Sequence, residues 1–214
     1  GASAVRLTAT RAGATAEPQE LQRLLETTRI PLLTEDSARA LVPDTHPYSL
    51  GFGYLPLNKA ARKALAEADV VLLLGRRLDY TSGYGGSPPF AKGVKHIMVT
   101  PAAADIGRAR TVEVGVLGDV GPVVTQLADA ASKKRWAERT DWLKSLRQTR
   151  DAFQEELAEL AVEDDPSTRS AGSGQAGSFD KLRMASGRRP MHPMFVSQTL
   201  RKFVDDDTVM VFDG

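Results

Sequence analysis

Cysteine is absent from the 214-residue sequence. That excludes disulfides, thiolate metal sites and a cysteine nucleophile, and it fits a reducing cytosol. An excess of one charge is lacking too: 28 Lys and Arg stand against 27 Asp and Glu, a formal net charge of +1. This balance supplies no field to attract nucleic acid or an anionic membrane surface, and neither is expected as a partner. No apolar run approaches the ~20 residues that cross a bilayer, and no signal-peptide pattern precedes the first charged residues. The expected location is cytoplasmic.

Several motifs are also missing. No G-x-G-x-x-G lies directly between a strand and a helix. The glycine-rich "GYGGSP" (83–88) follows two arginines and leads into prolines, so it reads as a crossover loop and not as a dinucleotide phosphate turn. His46, His96 and His192 are the three histidines, and none sits at the spacing of a paired metal ligand. His46 and His192 each precede proline and read as loop anchors. There is no G-x-S-x-G elbow, and Asp205, Asp206 and Asp207 read as a solvated turn before a strand. No catalytic residue and no metal ligand is predicted.

What is present suffices for a core, with 42% hydrophobic and 26% charged residues. In "EPQELQRLLETTR" (17–29) Leu21, Leu24 and Leu25 recur at helical spacing. "IPLLT" (30–34) is a short strand candidate, and the Pro- and Gly-rich 42–57 reads as a loop. "NKAARKALAEA" (58–68) predicts a helix with Asn58 as its N-cap. "DVVLLLG" (69–75) is the strongest strand, apolar on both faces as in a sheet covered on both sides. Strands follow at 95–100 and 111–118, and a helix at 120–134. This rhythm predicts an α/β fold, an open parallel sheet with helices on both faces. From Trp136 to about Val162 a long charged helix carries Trp142, Leu146, Phe153, Leu157 and Leu160 on or near one stripe. A Gly/Ser-rich linker (167–178) follows, and 192–214 reads as helix, acidic turn and strand. The chain begins at Gly1 and stops at "VMVFDG", just after a strand-like run, so a fragment cut at both ends is expected.

Arg76 and Arg77 stand at the carboxyl end of the strongest strand, where open parallel sheets bind ligands. Guanidinium groups there suit a phosphate or an adenine face. Equally, either can pair with a carboxylate such as Asp79 or Glu67. Spacing alone leaves both readings open.

"ADVVLLLGRRLDYTSGYGGSPPF", "KHIMVTPAAADIGRARTVEVGVLGD" and "IPLLTEDSARALVPDTHPYSLG", with its "PDxHP", together resemble the central domain of thiamine-diphosphate-dependent enzymes. The type is that of acetolactate synthase, benzoylformate decarboxylase and oxalyl-CoA decarboxylase. "HPMFVSQTLRKFVDDDTVMVFDG" resembles the first helix and strand of the diphosphate-binding domain that follows. The resemblance covers about residues 17–131 and 190–214.

It implies a six-stranded, Rossmann-like central domain at 1–131, a long helix and linker at 132–190, and the start of the diphosphate-binding domain at 191–214. In the family the cofactor sits between a preceding pyrimidine-binding domain, which bears the activating glutamate, and the diphosphate-binding domain of another subunit, which bears the metal motif. The implied parent is therefore a homodimer or homotetramer using thiamine diphosphate and Mg2+ held outside these residues, and the fragment alone is inactive. The parent is expected to make or break a C–C bond beside the carbonyl of a 2-keto acid, acetolactate synthase-like, or else to act as a 2-keto acid or acyl-CoA decarboxylase or lyase. Its thiamine cofactor would serve as an electron sink.

Some family members hold FAD or ADP in this domain, and Arg77 matches the arginine of their "G-x-R" motif. Those members carry two aspartates after the next strand, where this chain has Thr100 and Ala102. A ribose would lose its carboxylate acceptor, so FAD and ADP are disfavoured and a scaffold role is expected. A stand-alone nucleotide-binding module is the alternative, with Arg77 as the candidate contact. Residues 1–15 do not read as the family's first strand and glycine turn, so that element is expected to be missing or altered. The stretch 167–187 reads as an insertion.

Overall fold

Val70–Leu74 sends Val71 and Leu73 to one side of a sheet and Leu74 to the other, and all three are fully buried. Period-two alternation with apolar residues at every position needs cover on both faces, and the computed structural model provides it. Residues 3–8, 18–35, 38–39, 41–163 and 193–205 are described. The chain divides into two compact units, Gly1–Asp151 and Ala152–Gly214.

In the first unit six strands run parallel: β1 (Ser3–Thr8), β2 (Leu32–Glu35), β3 (Ser49–Phe52), β4 (Val70–Leu74), β5 (Lys95–Thr100) and β6 (Val114–Leu117). Their order is β3-β2-β1-β4-β5-β6. The helices are α1 (Pro18–Thr28), α2 (Lys59–Glu67), α3 (Val120–Ser132) and α4 (Thr140–Glu163), the last running on past the first unit. One core contains Leu21, Leu24 and Leu25 of α1 and Val124 and Ala128 of α3 with Leu74 and Val99 of the sheet. The other joins Ala61, Ala64 and Leu65 of α2 and Leu146 of α4 to Val71, Leu73 and Met98. Each fully buried leucine contributes about 1.5–3 kcal/mol. The expected α/β class, with helices on both faces, is what these residues form.

Three expectations are corrected. A first strand is present, since β1 pairs in parallel with both β2 and β4; the turn expected after it lies outside the described residues. The loop assigned to 42–57 contains β3, a four-residue edge strand whose "SLGF" is too short and glycine-broken to show alternation. Asn58 secures it: its amide donates to Leu50 O and Phe52 O at 2.9 and 2.7 Å, while its oxygen caps α2 through Ala61 N at 2.9 Å. The long helix begins at Thr140 and not at Trp136, whose indole N–H donates to Ala131 O at 2.9 Å and whose ring packs on the first core.

In the second unit, α5 (Pro193–Arg201) is the helix expected near residue 192, and Leu200 and Phe203 are exposed. The strand expected after it and the linker at 167–178 lie outside the described residues. Among the described residues no helix is long and apolar enough to cross a membrane.

Candidate functional site

Strand order reverses between β1 and β4, and in open parallel sheets ligands bind beyond the carboxyl ends at such a reversal. The chain leaves β4 through Gly75, whose φ of 67° lies in the left-handed region that glycine enters at little cost. Gly75 N–H donates to Val99 O at 2.8 Å, which fixes the turn to β5. The next two residues then part.

Arg76 turns inward and is 8% exposed. Its Nε lies 2.7 Å from Glu35 Oε2 at the end of β2. Its two terminal nitrogens meet Asp79 Oδ2 and Oδ1 at 3.0 Å each, a two-pronged match of guanidinium to carboxylate. One of them also donates to the Thr81 hydroxyl. Glu35 is 5% exposed and backed by Gly53, where a Cβ would lie 3.1 Å from Glu35 Cγ. Asp79 in turn starts the loop that follows: its Oδ1 accepts from Thr81 N–H at 3.0 Å, and Ser82 Oγ accepts from Asp79 N–H at 2.9 Å. Burial pushes the Asp79 carboxyl up, but the Thr81 hydroxyl and the Arg76 charge outweigh it and hold it below its ordinary value. Arg76 thus reaches from β4 across the end of β1 to β2 and spans the reversal point. Of the two pairings left open by the sequence, Asp79 is realised; Glu67 instead accepts from Trp142 Nε1 at 2.8 Å.

Arg77 turns outward, with its side chain 64% exposed and Nη1 4.0 Å from Asp105 Oδ1. It lines a cleft of about 330 Å³ together with Leu78, Asp79, Tyr84, Asp105 and Arg108. Thr100 is buried, and its hydroxyl accepts from Ala102 N–H at 3.2 Å at the end of its own strand. The cleft nonetheless holds a carboxylate, Asp105, from the turn Ala103–Asp105. Asp105, Arg108 and Tyr84 were missed by the sequence reading, which sought acidic groups only at 100 and 102. The available signal was "ADIGRAR" (104–110), charged residues spaced around a glycine turn just past the strand.

Two cations, a tyrosine and two carboxylates, of which Asp79 is engaged by Arg76, can hold an anionic or ring-bearing ligand, but they contain no nucleophile with its base. His46 does anchor its loop, accepting from Tyr48 N–H at 3.2 Å; His192, Asp206 and Asp207 lie outside the described residues. Among the described residues no group of three His, Cys, Asp or Glu could hold a metal ion.

The family model described as "Thiamine pyrophosphate enzyme, central domain" matches residues 9–127, more than half of the chain. Human 2-hydroxyacyl-CoA lyase 1 is 30% identical over 145 residues, covering 67% of this chain and 24% of the lyase. A probable acetolactate synthase of Mycobacterium bovis is 28% identical over 194 residues, covering 91% of this chain and 29% of that protein. A second acetolactate synthase of Mycobacterium bovis is 37% identical over 111 residues, covering 51% of this chain and 18% of its own length. The chain thus spans under a third of each of these relatives.

Proposed function

We propose a role for this chain from a single premise: it belongs to the family of thiamine pyrophosphate enzyme central domains. The parent protein is a thiamine-diphosphate-dependent enzyme that joins or cleaves a C–C bond beside the carbonyl of a 2-keto acid, acetolactate synthase-like. Residues 1–131 are its central domain, 132–190 a helix and linker, and 191–214 the start of its diphosphate-binding domain. Thiamine diphosphate and Mg2+ bind outside these residues in a homodimer or homotetramer, and this chain alone is inactive.

Within that enzyme the domain is mainly a scaffold. The observation that carries this reading is Arg76, whose guanidinium occupies the strand-order reversal with Glu35 and Asp79 as partners. The crevice where doubly wound sheets take their ligands is spanned by a protein ion pair. If the chain does take a nucleotide, Arg77 in the neighbouring cleft is the contact we assign.

The synthase reading is favoured over the lyase by extent of similarity, 91% of the chain against 67%. The similarity to 2-hydroxyacyl-CoA lyase 1, 30% identical over 145 residues, keeps the lyase as the second reading. Assaying the parent protein with thiamine diphosphate and Mg2+ separates them. We expect acetolactate from pyruvate and no turnover by this chain alone; preferential cleavage of a 2-hydroxyacyl-CoA selects the lyase, and turnover by this chain alone overturns both. Calorimetry with ADP and FAD tests the scaffold: no micromolar binding is expected, and binding that Arg77→Ala abolishes would replace the scaffold with a nucleotide site.

A further inference from the structure

His96 is 1% exposed, and neither ring nitrogen has a hydrogen-bond partner. It lies on β5 beneath the loop that connects β4 to β5. The Phe90 ring meets its edge, with centroids 5.2 Å apart and planes at 66°. Over Nε2 the loop passes so closely that a Cβ at Gly85 would stand 3.3 Å from that nitrogen and 2.8 Å from Leu78 Cδ1. Gly85 also has φ of 73°, so the approach depends on glycine twice over.

The charged group acting on the imidazole is Arg110. Its Nε points at Tyr84 O of the same loop, 3.4 Å away. The other nearby charges are already engaged: the exposed Lys95 and Glu113 side chains pair at 2.9 Å, and Asp79 is held by Arg76 and Thr81. Among the described residues no carboxylate is placed to stabilise a charge on His96.

We propose that His96 is a protonation switch for the loop Asp79–Phe90: a charged imidazole releases the loop and, with it, the Tyr84 wall of the Arg77 cleft. A buried imidazolium facing apolar side chains and a guanidinium is relieved only by reaching water, and the loop is what separates it from water. Burial first, and Arg110 second, push the His96 pKa below its ordinary 6.5. The sign follows: with the loop open the imidazole titrates near 6.5 and with it closed lower, so the closed form is fully favoured above about 6.5 and loses ground as pH falls below it. This inference does not depend on whether the cleft takes a nucleotide.

Amide hydrogen exchange on the full chain, corrected for intrinsic pH dependence, reads the switch at Ser82, Tyr84 and Gly86, whose N–H groups are bonded within the loop. Between about pH 7.5 and about pH 5.5 their protection should fall, by about tenfold at most, relative to amides of β2. His96→Gln should remove that difference. A pH-independent loop in the native chain, or an undiminished response in His96→Gln, overturns the proposal. Should His96→Gln fail to fold, imidazole NMR of the native chain and of Arg110→Gln decides. Native His96 should titrate below the ordinary value and Arg110→Gln should raise it and weaken the loop's pH response; an ordinary native titration sinks the switch.

Discussion

The carboxyl end of β4 has two flanks made by adjacent arginines, and they are built to opposite rules. On the flank toward β2, Arg76 is buried and every charge near it is matched, with Glu35 and Asp79 closing on its guanidinium. On the flank toward β5, Arg77 is exposed, meets Asp105 only at 4.0 Å, and opens on a cleft of about 330 Å³. The difference teaches where function has room. A guanidinium taken out of water must be paired or it destabilises the fold, so Arg76 serves structure. An exposed one keeps its hydration and is free to trade it for a ligand.

The largest break in this comparison is Arg76→Ala. It takes the guanidinium away from the buried Glu35 carboxylate and from Asp79, and removing one partner of a buried pair destabilises by about 3 kcal/mol or more. Urea unfolding of the variant should show the loss in its midpoint with an unchanged slope. A loss under about 1 kcal/mol would mean that Arg76 is solvated and the inner flank is not closed. A smaller effect is expected from Asp79→Asn, about 1–2 kcal/mol for lost charge-assisted hydrogen bonds, reduced because the side chain is 35% exposed. Its pH dependence has a definite sign. The folded carboxyl lies below its ordinary 3.8, so its contribution is complete above that value and fades as pH falls through the folded value. Stability curves of native and Asp79→Asn chains should therefore converge in acid; a gap that persists there would assign the loss to packing.

The contrast between the flanks was only partly legible in the sequence. The strand Val70–Leu74 and its position at a ligand-binding edge could be read from "VLLLG", because an unbroken apolar run tolerates few other placements. Which arginine turned inward could not, because it depends on the left-handed turn at Gly75 and on Glu35, which is 41 positions earlier in the numbering and reaches Arg76 only through sheet pairing. Strand β1 was not readable either: "SAVRLT" carries one arginine and two hydroxyl residues and becomes a strand because β2 and β4 both pair with it. Asp105 escaped notice because a turn, and not strand periodicity, carries it into the cleft. The family resemblance supplied what periodicity could not, the expectation of six strands in one sheet, and that is the sheet observed.

The smallest effect sharpens the comparison most. Arg77→Ala removes the same chemical group as Arg76→Ala, one residue away, yet it should change stability by no more than about 0.5 kcal/mol. With 64% of the side chain exposed and 4.0 Å to Asp105, the pair gains little Coulomb energy that water does not already screen. Asp105 keeps a route to solvent through the cleft it lines, so losing Arg77 leaves no sealed charge behind. The measurement is the same urea titration, and salt provides a second handle: a screened surface pair should leave the native and variant chains equally sensitive to ionic strength. If Arg77→Ala instead lost more than about 1 kcal/mol, the ion pair with Asp105 would be closed in solution. The outer flank would then be locked into the fold like the inner one, with no free guanidinium left to meet a ligand.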